Sequence, residues 1–336
     1  LIFIQKILIS STTLTTNHMN RTLKYFGIVM GILILVLLVV GLYIGASDIP
    51  TYEVEKIEYT AVATPEAVAR GKKLASMLCA NCHMNKATGK LTGTQMLDAP
   101  KEFGTIYSQN ITQDKEYGIG NWTDAELLYL LRTGIKRNGQ YSPPYMAKLP
   151  VMADEDVNAI IAFLRSDDPM VAANPTPDMP PEPSFLTKML TRLEWKPFPM
   201  PSEAIPMPDS TDMIATGKYL AHNLDCFSCH SADFKTNNFL QPELSEGYFA
   251  GGNKTLDYEG RVKPTANLTP DKETGIGNWT KEQFIQAVKY GQKEGEPALT
   301  YPMVPYTQLT DKEAGAIFEY LKTILPVKNM VKRAVY

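Results

Sequence analysis

Cysteine is scarce in this chain. Its 336 residues hold four, and all of them fall in two short clusters, Cys79/Cys82 and Cys226/Cys229. None is left over for a disulfide, so the redox compartment cannot be read from disulfide content. Histidine is equally rare, with His18, His83, His222 and His230. Charge of one sign is also missing. A formal net charge of −3 leaves no basic surplus of the kind that binds nucleic acid. The rest is ordinary for a packed protein: 44% apolar and 21% charged residues, over a length that suits two domains.

The scarce residues coincide. Cys79-Ala80-Asn81-Cys82-His83 and Cys226-Phe227-Ser228-Cys229-His230 both read C-x-x-C-H, the pattern of c-type haem attachment. Two thiols reach the two vinyl groups of one porphyrin edge, and the histidine that follows turns its imidazole to the iron as proximal ligand. A redox dithiol or half of a zinc site also uses C-x-x-C. A four-cysteine zinc site across both clusters would leave His83 and His230 unexplained. The expectation is two covalently bound haem c groups.

Residues 26–45 carry no charge and are dense in Ile, Leu and Val. As a helix they would span about 30 Å, the thickness of a bilayer's hydrocarbon core. Arg21 and Lys24 precede them; Asp48, Glu53 and Glu55 follow. The positive-inside rule then puts the N-terminus in the cytoplasm and the remainder outside. A cleaved signal peptide is the competing reading. The apolar run is long for one, and Gly45-Ala46-Ser47 is only a fair cleavage site. Leu1 opens the chain, and Met19 is a candidate translation start.

The expected organisation is an N-terminal tail over 1–25, an anchor over 26–45, a connector over 46–60, a domain over 61–168, a proline-rich linker over 169–210, a second domain over 211–325 and a tail over 326–336. Thr64 before Pro65 predicts a helix start, with Val68, Leu74, Met77 and Leu78 as the apolar positions leading into Cys79. Thr123 and Glu126 form a T-x-x-E capping box. Leu127, Leu128 and Leu131 face that helix inward, and Gly134 ends it. Val157, Ile160, Ile161 and Leu164 predict a further helix. Eleven of the 24 prolines lie between Ser166 and Thr211, which favours extended backbone. Within that stretch Phe185 to Trp195 is expected as a short helix packing through Leu186, Met189, Leu190 and Leu193.

The chain repeats itself. The stretch from Asn110 to Thr123 matches that from Asn267 to Thr280, an offset of 267 − 110 = 157. Thr280 and Gln283 repeat the capping box, and Gly291 repeats Gly134. The cysteine clusters differ by 226 − 79 = 147, so the second copy has ten extra residues, expected around Phe239 to Lys263. Trp122 and Trp279 occupy the same Asn-Trp-Thr turn in the two copies. Each reads either as plain core or as a wall of the haem crevice.

With His83 and His230 taken as proximal ligands, no histidine stands out for the other face of either iron. His222 lies on the helix before Cys226 and is expected to be exposed. Methionine is the usual alternative, and it raises reduction potential. After His230 only Met303 and Met330 exist, and Met330 lies beyond the last helix. Met303 carried back by 157 gives Met146, and both stand eight residues before an aspartate, Asp311 and Asp154. Met152 is the rival in the first copy; its repeat partner is Leu309, which favours core packing.

The helix leading into Cys79 resembles that of class I cytochromes c. The whole stretch from 61 to 325 resembles membrane-anchored di-haem cytochromes c of bacteria. It is similar to the cytochrome c subunits that serve alcohol, aldehyde and gluconate dehydrogenases. Asn-Leu-Thr-Pro-Asp-x-x-Thr-Gly-Ile-Gly-x-Trp at 267–279 carries the resemblance most clearly. In the first copy Gln113 and Tyr117 replace Pro and Thr. Those subunits typically hold three haems, and this chain has two motifs. The resemblance implies an all-α fold of two tandem class I cytochrome c domains after one transmembrane helix. It also implies export to the outer face of a bacterial inner membrane, and redox partner proteins such as a dehydrogenase or an oxidase. The function expected is single-electron transfer rather than catalysis, with Met146 and Met303 closing both irons. A di-haem peroxidase with one open iron is the alternative.

Overall fold

The computed structural model describes residues 2–293, 295 and 297–332, with side chains from Arg21 onward. Met19, the candidate start, and His18 lie outside the described side chains. Two units are distinguished, Leu1–Asp48 and Ile49–Tyr336.

The first unit is one helix, α1 (Ile2–Ala46). From Arg21 to Ala46 its mean hydropathy is 3.0 over the most apolar window. Leu35, Leu37 and Leu38 are each about 60% exposed, so most of its apolar surface is uncovered by the described residues. By length and composition α1 can cross a membrane, and a signal sequence would meet the same test.

The second unit is built twice from the same parts. In the first repeat, α2 (Pro65–Leu78) starts as expected: Thr64 Oγ1 accepts from Ala67 N at 3.1 Å, with Pro65 at the first position. It buries Leu74, Ala75 and Met77. A break at Cys79 separates it from α3 (Ala80–His83). Helix α4 (Asp124–Thr133) has both bonds of the Thr123–Glu126 capping box and ends at Gly134, φ 83°. Helix α5 (Asp154–Leu164) buries Val157, Ile160, Ile161 and Leu164.

The second repeat supplies α7 (Met213–Asn223), α8 (Cys226–His230), α9 (Lys281–Tyr290) and α10 (Asp311–Leu321). Its α9 repeats the capping box with Thr280 and Gln283 and stops at Gly291, φ 68°.

One glycine in each repeat lets the first helix touch the last. A Cβ at Gly71 would lie 1.8 Å from Ala159 O, and one at Gly217 would lie 1.9 Å from Ala316 O. Only a hydrogen fits there, so the backbones of α2 and α5, and of α7 and α10, meet directly.

The proline-rich stretch is laid on the first repeat rather than held away from it. Gly104–Thr105 (β1) pairs antiparallel with Glu182–Pro183 (β2). Ile205 exchanges two bonds with Asp154, through its carbonyl and its N–H. The short helix forms as α6 (Phe185–Leu193), but its contacts differ from expectation. The buried positions are Thr187 and Thr191, while Leu193 is 68% exposed. Thr187 turns inward because its hydroxyl donates to Phe103 O at 2.8 Å.

Two further corrections concern the loops. The all-α expectation is too simple. Helices make up 39% of the chain, and two small antiparallel ribbons are present, β1–β2 and the pair of Lys254–Leu256 (β3) with Val262–Pro264 (β4). Strands of two or three residues leave no alternation for a sequence to show. The extra residues of the second repeat occupy only the early part of the expected Phe239–Lys263 stretch and the residues just before it. Gly93 N donates to His83 O and Gly251 N to His230 O, so the offset is already 251 − 93 = 158 at that point. The insertion therefore precedes Gly251, where Phe234–Thr236 and Pro242–Leu244 form 3₁₀ turns.

Candidate functional site

The two motifs are held alike. Their four cysteines are free and half-buried. Burial, the largest cause, pushes the thiols of Cys79, Cys226 and Cys229 up to about 12 and that of Cys82 up to about 11. A catalytic dithiol needs the opposite shift, towards thiolate. Among the described residues no three His, Cys, Asp or Glu side chains gather into one metal cluster.

Each motif histidine is oriented by a backbone carbonyl. His83 Nδ1 lies 2.7 Å from Gln109 O, and His230 Nδ1 lies 2.8 Å from Ala266 O. A carbonyl only accepts, so Nδ1 carries the proton in both and Nε2 has the lone pair. Burial lowers the His83 pKa against that hydrogen bond, which favours the neutral, metal-binding imidazole. Gln109 and Ala266 are related by the 157 offset, so the second-layer bond is duplicated with the ring.

The methionine turns match as well. Met146 N donates to Pro143 O and Met303 N to Thr300 O, both at 3.1 Å. Around them Ser142 N bonds Gly134 O and Leu299 N bonds Gly291 O, each at 2.7 Å. Leu149 N reaches Leu131 O at 2.7 Å and Tyr306 N reaches Val288 O at 2.8 Å. Every pair obeys the 157 offset. Ser142 Oγ lies 3.4 Å from Met146 Sδ. Met152 is fully buried in the core cluster, as is its partner Leu309 at 2% exposure.

Trp122 and Trp279 pack against the core cluster while remaining partly exposed. The Arg137 guanidinium lies 5.8 Å from the Trp122 ring. Trp279 borders a polar cavity of about 590 Å³ with Glu282, Gln286 and Gln292. The tryptophans close the repeated stretch, whose polar residues fold it upon itself. Asn110 Oδ1 accepts from Thr112 N and Oγ1, and Asn267 Oδ1 accepts from Thr269 N and Oγ1 at the same distances of 2.9 and 2.7 Å. Asn121 Nδ2 donates to Lys115 O, and Asn278 Nδ2 to Lys272 O, both at 2.8 Å. The repeated asparagines and threonines are thus loop formers.

His222 is not exposed as expected. It is half-buried, bonded through Nε2 to the Tyr248 hydroxyl and set edge-on to Phe227. Burial lowers its pKa to about 4. The aromatic neighbours lie up to 98 positions away, so no local pattern revealed them.

A covalently held porphyrin asks for two neutral thiols one helical turn apart, an imidazole with its proton fixed on Nδ1, and a sulfur in an ordered turn. The donor set present fits. So do two buried hydroxyls that have no hydrogen-bond partner among the described residues, Thr92 Oγ1 and Thr265 Oγ1. Each directly precedes a residue bonded to a motif histidine, Gly93 and Ala266.

Comparison with known proteins finds one family in both repeats. The cytochrome c family model matches residues 68–168 and 214–325. The chain is 30% identical to the fructose dehydrogenase cytochrome subunit of Gluconobacter japonicus, over 79% of this chain and 54% of the relative. It is 28% identical to the gluconate 2-dehydrogenase cytochrome c subunit of Pantoea cypripedii, over 80% of this chain and 63% of the relative. It is also 28% identical to a diheme cytochrome c-type protein of Cereibacter sphaeroides, over 73% of this chain and 81% of the relative. The chain thus spans about half to two thirds of the length of the dehydrogenase subunits. With both halves of the repeat inside the family match, the chain belongs to the cytochrome c family.

Proposed function

We propose that the chain is a di-haem electron carrier. Cys79, Cys82 and His83 would hold one haem c, and Cys226, Cys229 and His230 the other. Met146 and Met303 would take the sixth positions, with Trp122 and Trp279 bordering the crevices. Haem iron, when bound, supplies reversible one-electron exchange. This chain's residues supply the rest. The carbonyls of Gln109 and Ala266 fix the imidazole tautomers, and the matched turns hold the two sulfurs. With a histidine and a methionine both committed to it, each iron would have no position free for a substrate, which favours transfer over catalysis.

The observation that carries this reading is the correspondence of the Met146 and Met303 turns, bond for bond under one offset. The chain is proposed to serve a dehydrogenase, since its relatives are named as cytochrome subunits of dehydrogenases. Helix α1 is proposed as the anchor in a bacterial inner membrane. Arg21 and Lys24 would face the cytoplasm and the haem domains, over 61–168 and 211–325, the periplasm.

Intact mass and spectra of the purified holoprotein test this. The expected result is a mass increment for two haems and two low-spin spectra. Met146→Ala and Met303→Ala should each convert one haem to high spin. A wild-type haem that is already high-spin and binds cyanide would overturn the carrier reading and point to a peroxidase.

A further inference from the structure

Tyr301 stands two residues before Met303 and reaches out of its own repeat. Its hydroxyl donates to Asp98 Oδ2, on the first-repeat loop between Cys82 and Asn110. Its ring stacks on Tyr258, centroids 3.8 Å apart and planes at 15°. Tyr258 lies at the turn between β3 and β4. Lys86 Nζ of the first repeat, three residues past His83, lies 5.2 Å from the Tyr258 centroid. Two residues of each repeat therefore meet at one point, and each is close in sequence to a candidate haem ligand or to a loop that supports one.

This contact is not inherited from the repeat. Under the 157 offset Tyr301 corresponds to Pro144, which has neither an aromatic ring nor a hydroxyl.

We propose that Asp98 and Tyr301 form a clasp that positions the Met303 turn against the first repeat. The proposal rests on the di-haem reading above. Both are positioning residues, acting through Met303.

The test uses the full-length holoprotein with Tyr301→Phe and Asp98→Ala, read by the methionine–iron charge-transfer bands. Tyr301→Phe keeps the ring that stacks on Tyr258 and removes the bond to Asp98; Asp98→Ala removes the acceptor. Each should weaken the band that Met303→Ala abolishes and leave the band that Met146→Ala abolishes intact. An undisturbed Met303 band in both variants, or equal loss of both bands, overturns the clasp. Wild-type protein without two covalent haems would overturn the di-haem reading and the clasp together, whereas a failed clasp in a two-haem protein leaves that reading standing.

Discussion

Tyr219, on the first helix of the second repeat, donates its hydroxyl to Asp156 Oδ2 on the last helix of the first repeat at 2.6 Å. Asp156 is fully buried. Its carboxylate is also forked by Arg70, through Nε and through Nη2 at 2.9 Å. Two helices of one repeat and one of the other therefore share a single buried charge. Such a group is stable only while its partners remain, because desolvation of an unpaired carboxylate costs several kcal/mol.

The first prediction follows from that joint. Asp156→Ala strands the Arg70 guanidinium and should cost about 3–5 kcal/mol. Tyr219→Phe removes one bond to a charged acceptor and should cost roughly 1.5–3 kcal/mol. Chaotrope unfolding of the holoprotein reads both. A Tyr219→Phe midpoint equal to wild type would show that the two repeats are not joined here.

The second prediction concerns the helix crossings. Gly71→Ala would drive a methyl into Ala159 O and Phe163 Cβ, and Gly217→Ala would do the same at Ala316 O and Tyr320 Cβ. The nearest atoms are backbone, which cannot swing away, so each substitution should cost about 1–3 kcal/mol or more. Haem content resolves which repeat fails. Gly71→Ala should deplete the haem whose spectrum depends on Met146, and Gly217→Ala the one that depends on Met303.

The third prediction is a pH dependence. Asp225 precedes Cys226 at φ 63°, a left-handed conformation that Asp and Asn tolerate better than most residues. Burial, the main cause, pushes its carboxyl up to about 6, against a hydrogen bond from Ser228. A carboxyl raised on folding stabilises the fold fully below its ordinary pKa, and that contribution is lost as pH rises through the folded value. Asp225→Asn stays neutral throughout and keeps the backbone conformation. It should exceed wild type in stability at about pH 7–8 by roughly 2–3 kcal/mol, with the difference vanishing below about pH 4. Melting temperatures across that range check it, and parallel profiles would contradict it.

What the sequence disclosed was local or periodic. Capping boxes at Thr123 and Thr280, stops at Gly134 and Gly291, and the buried stripe of Val157, Ile160, Ile161 and Leu164 depend on residues three or four apart. The offset extended that reach by pairing Met146 with Met303. It failed where a side chain meets a distant one. His222 looked exposed because Tyr248 and Tyr320 are invisible from its own helix. Nothing local singles out Tyr301, because Asp98 lies 203 positions away. On α6 the leucines were expected to pack, yet Thr187 is buried because the distant Phe103 carbonyl receives its hydroxyl.

The last prediction contrasts two cations at equivalent places. Arg132, at 1% exposure, pairs with Asp154, and Lys289 pairs with Asp311 under the same 157 offset. Arg132 does more than pair. Its Nη1 donates to Leu149 O at 2.7 Å and to Met152 O at 2.6 Å, so one guanidinium ties α4 to the loop that follows Met146. Lysine offers a point charge on a flexible stem, not a planar fork, and cannot hold the carboxylate and two carbonyls in that geometry. Arg132→Lys should therefore keep the ion pair, leave a buried carbonyl short of a donor, and cost roughly 1–3 kcal/mol. The reverse change, Lys289→Arg, should cost less, because Lys289 sits at 7% exposure beside a solvent-facing Asp311. The methionine–iron band separates loop loosening from general destabilisation. In Arg132→Lys the Met146 band should weaken at temperatures where the fold is intact and the Met303 band is unaffected. Equal loss of both bands would mean that Arg132 supports the core as a whole and has no particular hold on the Met146 loop.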